Sequence, residues 1–275
     1  MKTILVATDF SPSALNAANY AAEMALAINA TILLLHVYQL PLVNPELPLA
    51  VTEEDMRLDA ESEISNLKKE LTRKTGGKLP IETDTRMGVF FSELNKLCDH
   101  IKPYTVVMGS QGSTATERFL LGGHTVYAMK HLKWPIISVP PGARFSTVKK
   151  IGLACDFDKV VDKIPLDEIK TLVNDFKAEL YILNTGNQEV FDPEIIFESS
   201  LLEKMLAPLK PHFNFIVNSD RDEGILDFTE ENLIDLLVVL PKRHVLLDRL
   251  IHRSMTKQLV LHSHVPVMAL HQLLF

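Results

Sequence analysis

The residues predict an α/β fold made of two tandem, doubly wound, parallel five-stranded sheets, and three observations carry that prediction. Strand-sized apolar runs alternate with helix-sized segments along the whole chain. Blocks of the first half recur in the same order in the second. A glycine-rich segment follows the fourth strand of the first half and leads into a helix.

The first strand is residues 3–7, an apolar run of β-formers apolar on both faces, as a buried parallel strand is. Thr8-Asp9 closes it. Ser11-Pro12 then supplies a helix N-cap and a first-turn proline. Ala14, Leu15, Ala18, Ala21, Ala22, Ala25 and Leu26 follow at helical spacing, small enough for the helix to lie close on a sheet. A strand at 31–37, a proline-containing loop at 39–48 and a charged helix from about 52 to 73 come next. A strand at 81–86, a helix at 90–101 and a strand at 105–108 running into Gly109 follow. A helix near 125–132 and a last strand at 135–139 complete the unit.

The second half repeats this plan. Residues 150–157 echo 3–10, residues 178–184 echo 30–36, residues 235–240 echo the strand ending at Met108, and residues 265–269 echo 134–138. Duplication follows, with a boundary in the turn-rich stretch 140–146 and a second copy shortened in its middle. The expected domains are 1–143 and 147–275, a division that suits a chain of 275 residues.

With 47% hydrophobic and 23% charged residues the chain can bury two cores. A net charge of -7 argues against nucleic-acid binding, which needs a basic surface. A small anion remains compatible, because backbone N–H groups bind phosphate inside an acidic protein. Cys98 and Cys155 stand far apart outside any CxxC pattern, as expected in a reducing compartment. The N-terminal stretch does not read as a signal peptide, and the apolar runs fall far short of the ~20 residues that span a bilayer. The expectation is a cytoplasmic protein without a membrane partner.

After the fourth strand come Gly109, Gly112 and Gly122 at the spacing G-x2-G-x9-G, then Gly123-His124-Thr125 and a helix. Glycines there permit positive φ and close approach of backbone to an anion. Loop amides and a helix N-terminus then converge on phosphates. In a doubly wound sheet the ligand lies beyond the carboxyl ends of the strands at the switch point, and Asp9 and Gly109 end strands that border such a crevice. Neither a P-loop nor G-x-G-x-x-G is present.

These residues, with the Val-Ala-Thr-Asp9 opening, the Leu-Leu-His36-Val37 strand, Val107-Met108-Gly109-Ser110 and the closing Trp134-Pro135-Ile-Ile strand, resemble the universal stress protein family in tandem form, over essentially the whole chain. The resemblance implies a flavodoxin-like, adenine nucleotide alpha hydrolase-like layering and an adenine nucleotide, ATP or ADP/AMP, with Mg as a companion left open. It sets Ala7, Thr8, Asp9 and Val37 beside the adenosine. It sets Met108, Gly109, Gln111, Gly112, Gly122, Gly123, His124 and Thr125 beside the ribose and phosphates. Gly123 departs from the family's Ser or Thr, and Thr125 is the nearest substitute hydroxyl. The role implied is regulatory, in a stress response, with hydrolysis slow or absent. The halves are expected to pair internally through an edge strand, as a pseudo-dimer, and pairing of whole chains as a homodimer stays open.

In the second copy, aligning the segments after the strand puts Pro241 and His244 at the places of Gly109 and Gly112, and Ser254 and Met255 at those of Gly122 and Gly123. Loss of two charge-assisted hydrogen bonds weakens binding by roughly 10²–10⁴-fold, so no nucleotide is expected there.

Other groupings have plainer readings beside the functional ones. Asp9 is a ligand candidate or a helix cap, and its counterpart Asp156 persists without the glycines. His262 and His264 lack a third metal ligand nearby, so no metal site is expected. His36 reads as a packed histidine, Cys98 as core, and the basic cluster from Lys242 to Arg253 as a solvated face. Residues 220–223 lack the spacing of a calcium loop. No Ser-His-Asp, Cys-His or paired-carboxylate spacing marks a catalytic centre. The alternative to a nucleotide-binding protein is a nucleotide-free scaffold acting through protein contacts.

Overall fold

A computed structural model of the chain describes residues 1–39, 52–110, 123–157, 160–185, 193–218, 220–241 and 255–271. The first half runs β1 (Thr3–Ala7), α1 (Pro12–Ala27), β2 (Thr31–Tyr38), α2 (Glu53–Lys74), β3 (Ile81–Met87), α3 (Phe90–Ile101), β4 (Thr105–Gly109), α4 (Gly123–His131) and β5 (Ile136–Val139). The second runs β6 (Lys150–Ala154), α5 (Val160–Lys163), α6 (Leu166–Phe176), β7 (Glu179–Asn184), α7 (Pro193–Leu206), β8 (His212–Phe215), α8 (Arg221–Glu231), β9 (Leu236–Val239), α9 (Met255–His262) and β10 (Val267–Ala269).

Local chemistry explains the helix starts. Ser11 Oγ accepts the N–H of Ala14 at 3.2 Å, with Pro12 in the first turn of α1. Thr52 and Asp55 cap α2 reciprocally, the Thr52 hydroxyl accepting Asp55 N–H and the Asp55 carboxylate accepting Thr52 N–H. On α2, Ala60, Ile64, Leu67 and Leu71 form the buried stripe at helical spacing.

The strands form one ten-stranded sheet in the order β3-β2-β1-β4-β5-β10-β9-β6-β7-β8. Each half contributes five parallel strands, as the alternation predicted. The halves join where β5 and β10 pair antiparallel, Val267 opposite Ser138 and Ala269 opposite Ile136. Two aromatic-lined cores result, one on each face. On one lie α1, α2, α6 and α7; on the other lie α3, α4, α8 and α9. Both cores run across the joint, and the inner strands β1 and β9 are buried on both faces.

The link between halves is itself tied down. Asn16 Nδ2 donates to the carbonyls of Pro140 and Ala143, each at 3.2 Å, and Gly142 takes the left-handed φ of 78° that turns the chain. Phe145 then lies edge-on to Tyr20 of α1 at 5.4 Å and 6.3 Å from Phe176 of α6.

The halves differ where their sequences do. The counterpart of α1 is split into α5 and α6 at Ile164-Pro165, because proline carries no N–H and holds φ. The middle of the second copy is shorter, with α7 at 14 residues against 22 for α2 and β8 at 4 against 7 for β3. The helix expected near 125–132 spans Gly123–His131. Among the described residues no helix is long and apolar enough to cross a membrane.

Candidate functional site

From β1 the chain winds out through β2 to β3, then returns to β4 on the other side of β1. The crevice beyond the carboxyl ends of β1 and β4 is therefore the topological switch point of the first half. Of the residues around it, Gln111, Gly112 and Gly122 lie outside the described residues, as does the proline-containing loop from residue 40 onward.

The β1 side is set by backbone geometry. Thr8 N–H donates to Leu35 O at 2.9 Å, continuing the β1–β2 ladder past Ala7. The His36 Nδ1–H donates to Thr8 O at 2.8 Å, which assigns the proton to Nδ1 and aims the ring at the turn. Phe10 adopts φ 61° and lies 4.6 Å from the His36 ring, so His36 is the packed histidine its sequence context suggested. Inside this turn Phe10 N–H donates to Thr8 Oγ1, and Ser11 N–H donates to Asp9 Oδ1, both at 3.0 Å. Asp9 thus caps with one oxygen; the exposed carboxylate's other oxygen makes no hydrogen bond among the described residues. The plain reading and the ligand reading of Asp9 are compatible.

The β4 side departs from expectation. Gly109 sits opposite Val139, and its φ is not among the positive ones. A Cβ there would stand 2.4 Å from Ser13 Oγ and 2.8 Å from the Ser13 carbonyl carbon. Glycine at 109 is required by α1 resting on β4, not by an anion approaching the strand end. Ser13, which the sequence reading passed over, covers this position, and its buried hydroxyl has no hydrogen-bond partner among the described residues. No spacing in the sequence signals such a contact between α1 and β4.

Thr125 is buried, and its hydroxyl donates to Gly109 O at 2.7 Å. The proton proposed to replace the one missing at Gly123 is already engaged in holding α4 to β4. Gly123 and His124, by contrast, are exposed at the start of α4. The His124 ring stacks at 5.7 Å on Phe90 and meets Phe91 edge-on at 5.4 Å. Val37, at the end of β2, packs with the same core as these two phenylalanines. Met108 is buried at the end of β4. The structure thus brings Ala7, Thr8, Asp9, Met108, Gly109, Gly123, His124 and Thr125 to one end of the sheet, with Val37 one strand further out.

The second half keeps the turn and loses the glycine. Cys155 N–H donates to Leu183 O at 3.0 Å, Asn184 Nδ2 donates to Cys155 O at 2.9 Å, and Phe157 takes φ 53°. Asn184 stands for His36, and Phe157 for Phe10. Register corrects one alignment: Leu236 faces Ile151 as Thr105 faces Ile4, so Leu240, not Pro241, holds the place of Gly109. Pro241 holds that of Ser110. The basic cluster at 242–253 lies outside the described residues.

Asp220 proves to be the N-cap of α8, accepting from Asp222 N–H at 3.0 Å and Glu223 N–H at 3.3 Å. His264 lies 3.5 Å from Glu230 on the surface. Among the described residues no group of three His, Cys, Asp or Glu side chains is placed to hold a metal ion. Burial, with the charge of Asp99 adding to it, pushes the Cys98 thiol up to about 12, consistent with a core residue and not a nucleophile.

A family model described as the universal stress protein family matches residues 1–140 and 198–271. A universal stress protein of Synechocystis sp. is 24% identical over 293 residues, covering 98% of this chain and 99% of the relative. Among solved structures, a universal stress protein from Archaeoglobus fulgidus superposes with a TM-score of 0.73 at 18% identity, covering 98% of this chain and 96% of that one. A protein from Pseudomonas aeruginosa described as functionally unknown gives 0.63 at 12% identity over 98% and 92%. These structural likenesses show the fold.

Proposed function

Because the chain belongs to the universal stress protein family, we propose that its first half, residues 1–143, binds one adenine nucleotide in the β1–β4 crevice, and that residues 147–275 bind none. The observation that supports this most is the arrangement at the switch point. An exposed carboxylate, Asp9, and the exposed start of α4 at Gly123 and His124 border the same strand ends. Phosphates suit the α4 start, where N–H groups lack intrahelical partners and the helix dipole is positive. The glycine loop 109–123 supplies further amides. Asp9 takes the ribose or base through its remaining oxygen, and the backbone of Ala7 and Val37 faces the adenine. Whether the nucleotide is ATP, ADP or AMP, and whether Mg accompanies it, is for titration to decide. Among the described residues no group is set as a general base, and the role proposed is nucleotide-dependent regulation in the reducing cytoplasm.

Titration calorimetry of the full chain with ATP, ADP and AMP should show one equivalent bound. Gly112→Val and Asp9→Ala should abolish it. No heat with any of the three nucleotides overturns the proposal, and two equivalents overturn the assignment of the second half. One observation favours a second reading, a nucleotide-free scaffold: Gly123 has no hydroxyl, and that of Thr125 is held by Gly109 O. Native mass spectrometry of freshly purified protein separates the two, since a co-purifying adenine nucleotide excludes the scaffold.

A further inference from the structure

The halves meet at two places where a tyrosine of one lies near an aspartate of the other. Tyr104, just before β4, and Asp235, just before β9, hold equivalent positions: Tyr104 N–H donates to Thr3 O at 2.8 Å and Asp235 N–H to Lys150 O at 2.9 Å. The opposite half supplies the second group, Asp175 of α6 near Tyr104 and Tyr20 of α1 near Asp235. At the first place a cation completes the set. The Lys2 ammonium pairs with Asp175 and lies 5.2 Å from the centre of the Tyr104 ring.

At the second place no cation does so. Lys149, the counterpart of Lys2, is exposed and its side chain makes no ion pair among the described residues. Instead Tyr20 and Asp235 line an open cleft of about 440 Å³. Tyr20 is only 4% exposed, yet its hydroxyl has no hydrogen-bond partner among the described residues. Burial, reinforced by the charge of Asp235, holds that phenol up in its neutral form. Asp235 Oδ2 accepts the N–H groups of Lys149 and Lys150 at 2.7 and 2.9 Å, and its other oxygen accepts none among the described residues. The free Asp235 oxygen calls for a donor, the neutral Tyr20 hydroxyl can accept as well as donate, and a carboxylate repels anions. Arg144, Glu230 and His264 stand at the exposed rim.

We propose that this cleft binds a small molecule carrying a primary ammonium group, its charge paired with Asp235 as that of Lys2 is paired with Asp175, and its ammonium beside the Tyr20 hydroxyl. Strands β5 and β10 stand between this site and β4, and the proposal does not rest on the nucleotide reading. The probes are putrescine and L-lysine, with succinate as a chain without an ammonium group, titrated into the full-length protein. Both amines should bind with Kd below about 1 mM and raise Tm, and succinate should not. Tyr20→Phe keeps the contact with Phe145 and removes only the hydroxyl. It should leave Tm without ligand unchanged or higher, weaken amine binding by about tenfold, and leave nucleotide binding as it was. Asp235→Asn, which retains an acceptor for the two backbone amides, should abolish amine binding. Absence of binding by both amines, equal binding of succinate, or unchanged affinity in both variants overturns the proposal.

Discussion

At the ends of β1 and β6 the two halves of this protein are built alike, and at the ends of β4 and β9 they are not. In the first pair a left-handed phenylalanine, Phe10 or Phe157, turns the chain, and a side chain from the next strand, His36 or Asn184, holds the preceding carbonyl. Two different residues preserve one hydrogen bond, so that turn belongs to the fold itself. In the second pair Gly109 lets Ser13 of α1 rest on the strand, whereas Leu240 interposes a side chain. The helix that faces β9 is also the one interrupted at Pro165. Loss of a glycine and loss of an unbroken helix therefore go together in the second half.

The comparison is broken most directly by Gly109→Leu, which imports the residue of the second half. A Cβ would fall 2.8 Å from backbone of Ser13, and overpacking of this kind costs about 3 kcal/mol. The urea midpoint of the full chain should drop accordingly, and an unchanged midpoint would mean that α1 yields without cost. Next in size is Thr125→Val, which removes the donor to Gly109 O and costs about 1.5 kcal/mol by the same measurement. A loss near zero would free Thr125 for the ligand role after all.

A smaller effect sharpens the shared part. His36→Ala should cost about 1 kcal/mol through the unmet Thr8 carbonyl. His36→Asn, the second half's own solution, should cost clearly less. Equal losses would show that the ring's contact with Phe10, not the hydrogen bond, is what matters.

The smallest effect at neutral pH comes from Cys98. Its thiol is pushed up to about 12 from an ordinary 9.0, so the folded chain keeps a proton that the unfolded chain releases. Stability should fall as pH rises from about 9 towards 12 and should be untouched below that range. Cys98→Ala should flatten that slope relative to the parent chain in unfolding curves taken across it.

Much of the architecture was legible before any coordinates. Ser11-Pro12 announced the start of α1 to the residue, because capping is decided within one turn of chain, and the start of α2 was legible only approximately, near 52. Apolar runs announced β1, β2 and β4 because a strand covered on both faces admits few polar side chains. The site was legible only in outline. The spacing of Gly109, Gly112 and Gly122 pointed to a loop, but a glycine needed for an anion and one needed for a neighbouring helix look the same in sequence. The alignment of Pro241 with Gly109 also went astray by one residue, since only strand pairing shows that Leu240 is the true counterpart.

Residue order alone therefore settles the winding of each half and its duplication, since both follow from periodicity and recurring blocks. Three further matters needed the folded chain: Ser13 seated on Gly109, the Thr125 hydroxyl bound to Gly109 O, and Tyr20 brought to the same cleft as Asp235. Each joins groups from separate elements, and no local pattern encodes which side chain arrives from across a sheet.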